Sequence, residues 1–268
     1  MAGYDTVTLM TDRGQVDEAV GVVRSILADM APSANVVDLT HGIERHDVRA
    51  GALALARSVP YIAPGIVLAS VDPDGSSQRR SIAVEIGDGV GVMVGSDNGL
   101  LANAVAIVGG AGRTVELTDE RYRLPSAGSL WELRDVLAPA AAHLCEGVDL
   151  AELGPAIDPA SLLPSLVPIP RFENEQVLAE VMWVDHFGRV QLNLEAEMID
   201  HLGNTIVTTI NSQQRVVMRH RSINDVPDGQ VGLVTDTFGL MALVSPQRSA
   251  AAEFDIDVGA EVVLSEAR

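Results

Sequence analysis

The chain contains no lysine: all 18 of its basic residues are arginine, set against 37 acidic residues for a formal charge of −19. A field of that sign repels nucleic acid and anionic lipid, and no basic patch along the chain offsets it. A cationic ligand is welcome in the same field. Cysteine occurs once, at Cys145, so no intrachain disulfide can form and the expected compartment is the cytoplasm. No run approaches the roughly 18 apolar residues that a membrane span needs. The opening Met1-Ala2-Gly3-Tyr4-Asp5 has no basic segment followed by an apolar one, so no signal peptide is expected. With one cysteine and no histidine pair at helical i, i+4 spacing, there is no zinc signature, and no metal or cofactor is expected. What remains is a chain of 268 residues, 47% apolar and 21% charged, which argues against disorder and is long enough for two domains.

Thr6 to Met10 reads as a strand, and Val16, Ala19, Val20, Val23, Ile26, Leu27 and Met30 then recur at helical spacing. Strands are predicted at 35–39, 66–71, 82–86 and 90–94, with helices at 48–59, 100–108 and 131–145. Alternation of this kind predicts a mostly parallel sheet with helices on both faces, a three-layer α/β domain over residues 1–160. Pro155, Pro159, Pro164, Pro168 and Pro170 then crowd one stretch, and residues 161–175 read as a connector. Beyond it, short apolar runs at 177–184, 190–194, 205–210, 231–235, 240–244 and 261–264 predict a smaller all-β domain over residues 176–268, a barrel or a sandwich, with an all-β barrel the expected form. No internal repeat is apparent.

Chemistry is expected where predicted strands run into polar loops, because open α/β sheets bind ligands at the carboxyl ends of their strands. Val71-Asp72-Pro73 ends an apolar run and is followed seven residues later by Arg79. Thr11-Asp12-Arg13-Gly14 ends the first strand, where the Asp12 carboxylate can accept from vicinal sugar hydroxyls. Asp17 falls in the first turn of the expected helix, where the helix dipole favours an anion. Asp38-Leu39-Thr40-His41 and Ser96-Asp97-Asn98-Gly99 end two further strands.

Taken in order, these segments resemble the S-adenosyl-L-methionine (SAM) hydroxide adenosyltransferase family, relatives of the adenosyl halogenases. The matching signatures are Thr11-Asp12-x-Gly14-x-x-Asp17, Asp38-x-Thr40-His41 with Asp47-Val48, and Asp72-Pro73 through Arg79-Arg80. Asp97-Asn98-Gly99-Leu100-Leu101, Arg134-Asp135-x-x-Ala138-Pro139 and Asp185-x-Phe187-Gly188 complete the series. The resemblance implies displacement of methionine from the ribose 5′ carbon of SAM by water or hydroxide, giving adenosine and L-methionine. It also implies a homotrimer, with each ligand held between the first domain of one subunit and the second domain of its neighbour.

Residue by residue, the resemblance implies Asp72 and Arg79 at the nucleophilic water. The family histidine is replaced by Glu132, which either acts as base for the water or caps the helix that follows. Asp12 is implied at the ribose, Asp97 and Asn98 are implied among the substrate-binding residues, and His46 stands where the halogenases have an aromatic against the ligand. Asp17 and Asp185 are implied at the methionine ammonium, Phe187 against adenine, and Thr237 at the methionine carboxylate. Arg189 stands in place of the family asparagine, Asn193 matches a polar position of that signature, and backbone groups from Ser245 to Gln247 meet the adenine edge. The arginine that follows the Thr237 position in halogenases is Phe238 here, and a carboxylate at position 72 disfavours a halide. A binding protein that keeps the adenosyl pocket without turnover is the alternative, motivated by Glu132 and Arg189.

Overall fold

The computed structural model describes residues 3–71, 79–165 and 167–267. The chain forms two compact units, residues 1–166 and 167–268, which divide inside the proline-rich stretch.

The first unit is a six-stranded sheet built from β1 (Thr6–Thr11), β2 (Asn35–Thr40), β3 (Ile66–Ser70), β4 (Ser81–Ile86), β5 (Gly91–Ser96) and β6 (Thr114–Glu116), in the order β2-β1-β3-β5-β4-β6. Alternate side chains leave opposite faces of each strand, and both faces are covered. Val7, Leu9, Ile66, Leu68 and Val94 face α1 (Ala19–Met30) and a helix over Ala138–Cys145. Met10, Val67, Ala69, Met93 and Ile82 face α2 (Val48–Ser58) and α3 (Ala102–Ile107). Burial on both sides is why β3 and β5 read as nearly continuous apolar runs, and in β1 it buries Thr8 and Thr11 along with the apolar residues. The pairings β1–β2, β1–β3 and β3–β5 are parallel, but β4 runs antiparallel to β5 and β6. The reversal follows from the connection: a tight turn at Gly87–Gly89 joins β4 to β5, leaving no length for a crossover helix.

Two sequence expectations shift. Helix α1 begins at Ala19 and not at Val16, whose side chain is 99% exposed on the loop before it. Asp17 therefore precedes the helix, and its Oδ1 accepts the Ala19 N–H at 3.0 Å. The helix read as 131–145 starts instead with a wide π-type turn over Leu133–Leu137, in which the Ala138 N–H donates to the Leu133 carbonyl, before α4 (Ala138–Cys145). Pro139 explains the disturbance, since it has no N–H for the Asp135 carbonyl four residues back. The Leu124 N–H bonds that carbonyl at 2.9 Å.

The second unit is a closed barrel of seven strands. They are β8 (Gln176–Val184), β9 (Val190–Glu195), β10 (Thr205–Ile210), β11 (Gln213–Arg219), β12 (Gly232–Thr235), β13 (Leu240–Val244) and β14 (Glu261–Glu266). A short β7 (Arg171–Glu173) extends the sheet outside β8. The ring closes where β14 pairs antiparallel with β8. Val177, Ala179, Val181, Leu192, Leu243 and Leu264 fill the interior, with Phe254 of α5 (Ala250–Phe254) packed against them. β11 is absent from the sequence reading because its residues Gln213 to Val216 are all exposed and only Val217 is buried.

The side chain of Asp135 is fully buried. Its Oδ1 accepts from Arg134 Nε at 2.5 Å, and its Oδ2 accepts from Arg134 Nη2 and the Trp131 N–H. Burial pushes its pKa up, but the Arg134 guanidinium and the Trp131 N–H outweigh that and hold it below the usual carboxylate range. A depressed folded-state pKa stabilises the fold above about pH 4 and loses that contribution as pH falls below it. Asp135→Asn is expected to cost about 2 kcal/mol at pH 7 and to flatten the loss of stability on acidification. Thermal denaturation from pH 7 to pH 3 measures both, and an unchanged acid slope in the variant would contradict the assignment.

Candidate active site

The carboxyl ends of β1, β3 and β5 gather at one edge of the sheet, and the antiparallel β4 brings its first residue to the same edge. Ser81 of β4 is the register partner of Ser96 of β5. Both hydroxyls point to one carboxylate: Ser81 Oγ donates to Glu132 Oε1 at 2.6 Å, and Ser96 Oγ donates to Glu132 Oε2 at 2.9 Å. Each oxygen keeps lone-pair capacity for a further donor, so the group is oriented but still able to accept a proton. Although Glu132 occupies the position before the π-type turn, its side chain makes no capping bond. The capping alternative therefore has no counterpart in the structure.

Neighbouring groups fix this edge. Arg80 donates from Nε and Nη2 to Asp97 Oδ2 at 3.0 and 2.5 Å, and also reaches Ser161. Asp97 Oδ1 accepts the Leu163 N–H at 2.8 Å. Both Asp97 oxygens are thus engaged inside the unit, on a carboxylate only 5% exposed. Asn98 Nδ2 donates to the Val71 carbonyl, and its Oδ1 accepts the Leu100 N–H, tying the end of β3 to the loop after β5. Arg79 lies at this edge, half-buried, immediately before Arg80. Asp72 lies outside the described residues.

On the other side of Glu132, the Trp131 ring has the Arg13 guanidinium 5.6 Å and the Arg134 guanidinium 5.3 Å from its centroid. These cation–π contacts join the Glu132 segment to the loop after β1. In that loop Asp12 is buried, and its Oδ2 accepts the His46 N–H at 3.1 Å. His46 takes a left-handed backbone (φ 63°) to present that N–H. Buried His41 braces the loop from behind, with Nδ1 2.9 Å from Thr11 Oγ1 and Nε2 3.3 Å from Asp38 Oδ1. Asp17 stands apart, exposed beside the start of α1.

The barrel carries a cavity of about 360 Å³ walled by Trp183, Arg189, Arg221, Thr237, Phe238 and Val244, among others. Asp185 and Asp236 enter the same wall, each at the head of a five-residue hairpin. Asp185 Oδ1 accepts the N–H groups of Phe187 and Arg189, and Asp236 Oδ1 accepts those of Phe238 and Leu240. The two turns, Asp185-His186-Phe187-Gly188-Arg189 and Asp236-Thr237-Phe238-Gly239-Leu240, share one design, with glycine at φ 77° and 84°. This is a repeat that the sequence reading missed; its signal, Asp-x-Phe-Gly, was legible twice. Arg189 lies over the Phe187 ring at 5.5 Å, and Phe187 is 69% exposed.

Four expected residues stand outside this cavity wall: the exposed Phe187, and Asn193, Ser245 and Gln247. Asn193 is buried and engaged internally, accepting the Glu180 N–H and donating to the Pro168 carbonyl. Ser245 is buried and donates to the Gln230 carbonyl, while Gln247 is an exposed turn residue at φ 58°.

Residues 7–154 match the SAM hydroxide adenosyltransferase N-terminal domain, and residues 179–263 match the C-terminal domain of the same family. The chain belongs to that family. It is 37% identical over 91% of both chains to an (R)-S-adenosyl-L-methionine hydrolase of Salinispora tropica, and 32% identical to one of Thermus thermophilus over 96% of this chain and 98% of that one. A fluorinase of Actinoplanes is 22% identical over 99% of each. An uncharacterized conserved protein from Thermotoga maritima shares the fold at a TM-score of 0.86 and 24% identity, covering 97% of this chain and 100% of that one.

Within this family member the Arg80–Asp97 pair is a tether, and the sequence reading did not single out Ser81 or Ser96. Asp97→Ala is expected to cost about 2 kcal/mol of stability, and Arg80→Ala most of the same amount. A double-mutant cycle by denaturant unfolding should return a coupling of about 1 kcal/mol or more. Additive losses would mean the pair does not hold the edge.

Proposed function

We propose that this chain hydrolyses SAM to adenosine and L-methionine by attack of water or hydroxide on the ribose 5′ carbon. The observation that carries the reading is the similarity along nearly the whole chain to proteins named (R)-S-adenosyl-L-methionine hydrolase, at 37% identity over 91% of each. In the reaction a C5′–O bond forms as the C5′–S bond breaks. The electron pair goes to sulfur, the sulfonium charge vanishes, and the attacking water gives up a proton. The leaving group is already activated, so the protein has mainly to place one water in line and keep others out.

Glu132, held by Ser81 and Ser96, takes the role of orienting that water and accepting its proton, in company with Asp72 and Arg79. Asp12 takes the ribose hydroxyls, supported by its bracing through His41 and His46. Asp185 and Thr237 take the amino-acid head, with Phe187 and Arg189 toward the base. The proposal includes a homotrimer with sites shared between subunits, as the family resemblance implies, and a cytoplasmic setting. For the latter the support is a single cysteine, buried and with its thiol pushed up to about 11 by desolvation. The roles proposed here call on no metal. Chelator is expected to leave turnover unchanged, and recovery of lost activity with one divalent ion would refute that.

Incubation with SAM followed by chromatography tests the reading. Adenosine and methionine are expected, with labelled water placing its oxygen on the 5′ carbon and no 5′-chloro-5′-deoxyadenosine even in high chloride. Bound SAM without products would favour the turnover-free binding protein, and a 5′-halo product would favour the halogenase. Glu132→Gln is expected to depress turnover on the order of 10²- to 10⁴-fold with affinity nearly intact, and Glu132→His to retain or raise it. Unchanged turnover in Glu132→Gln would remove Glu132 from the mechanism.

A further inference from the structure

The barrel cavity is lined by two arginines, Arg189 and Arg221, and two aspartates, Asp185 and Asp236, in a chain that as a whole is strongly acidic. Its two carboxylates are largely spent. Asp236 accepts two backbone N–H groups on Oδ1 and the Gln191 amide on Oδ2. Asp185 accepts two backbone N–H groups on Oδ1, with Arg189 Nε 3.8 Å from its Oδ2. Across the wall stands Arg221, in the exposed loop after β11. Among the described residues Arg221 has neither an ion pair nor a hydrogen bond, in a chain with 37 acidic residues available to 18 arginines. The loop itself is fixed: Ser222 and Asp225 form a reciprocal capping box immediately after Arg221, anchoring its backbone while the side chain stays uncommitted.

A guanidinium that lines a cavity and has no carboxylate of its own is suited to an anion brought by the ligand. We infer that Arg221 binds the α-carboxylate of the substrate's amino-acid head and selects for sulfonium nucleosides that carry one. The inference rests on the SAM reading above, in which that carboxylate is the ligand's one anionic group. Thr237, on the same wall, is placed to add a hydroxyl to it, while the halogenase arginine next to that position is Phe238 here. The charge would thus come from a different strand connection than in the halogenases, and Phe238 is left to wall the cavity.

The test compares SAM with its decarboxylated form, which keeps the sulfonium, the ammonium and the nucleoside, on wild type, Arg221→Ala and Arg221→Lys. For SAM, Arg221→Ala is expected to lower kcat/KM about 10- to 100-fold, mainly through KM, with Arg221→Lys recovering part of the loss. For the decarboxylated substrate, wild type should already be reduced by a similar factor, and Arg221→Ala should add no further loss. Equal losses on both substrates, or no loss on SAM, would overturn the assignment. Calorimetric binding of the two sulfoniums separates this from the parent reading. Binding without turnover would remove hydrolysis yet leave the Arg221 comparison decisive, and failure of wild type to bind either would overturn both.

Discussion

Everything at the sheet edge depends on the direction of one strand. Were β4 parallel to its neighbours, Ser81 would emerge at the opposite end of the sheet from Ser96. Antiparallel pairing makes the two register partners, and their hydroxyls converge on Glu132 from adjacent strands. The same reversal delivers Arg79 and Arg80 to the edge where Asp97 and Asn98 leave β5. A strand turn as short as Gly87–Gly89 therefore decides the chemistry some strand-length away. The second support is Asp135, which closes the segment carrying Trp131 and Glu132 onto itself and leaves the Trp131 ring between two guanidinium groups.

Much of the architecture was legible because burial on two faces writes apolar runs into β3 and β5, and because helices α1 and α2 carry clean periodicity. The failures have local causes. Val16 extended the helical spacing of α1 by one apparent turn, yet it lies on the preceding loop, since apolarity marks a face only where the backbone is already helical. β11 escaped notice because a barrel strand with one buried residue has no period to read. The π-type turn before α4 was signalled by Pro139, but a proline near a helix start is ordinarily harmless, and only the bond from Leu124 to the Asp135 carbonyl shows what it displaced.

For the candidate site, the sequence marked several residues that the fold brings together. Asp12 lies at the sheet edge as strand-end chemistry suggests, with His46 and Glu132, marked by the family resemblance, beside it, and Asp185, Arg189 and Thr237 share a cavity. Asp97, Asn98 and Asn193 each have their polar atoms engaged within their own unit, which a one-dimensional pattern cannot reveal because a loop carboxylate looks the same whether it faces a ligand or a backbone N–H. Ser81 and Ser96 had no motif of their own. Only the pairing register, a property of two strands together, makes them partners.

The twin hairpins carry a consequence for change over time. Each turn is closed by its own aspartate, glycine and backbone, with Gly188 packed so tightly that a Cβ there would fall 2.0 Å from Ser249 Oγ. The remaining three positions, His186, Phe187 and Arg189 in one and Thr237, Phe238 and Leu240 in the other, contribute no side chain to the turn's hydrogen-bonded closure. Substitutions at Arg189, Thr237 and Phe238, which line the barrel cavity, can retune what it admits while the loop geometry stays as it is. Separation of a rigid frame from replaceable side chains lets one barrel serve several ligands in turn, without each new preference having to re-solve how the chain folds.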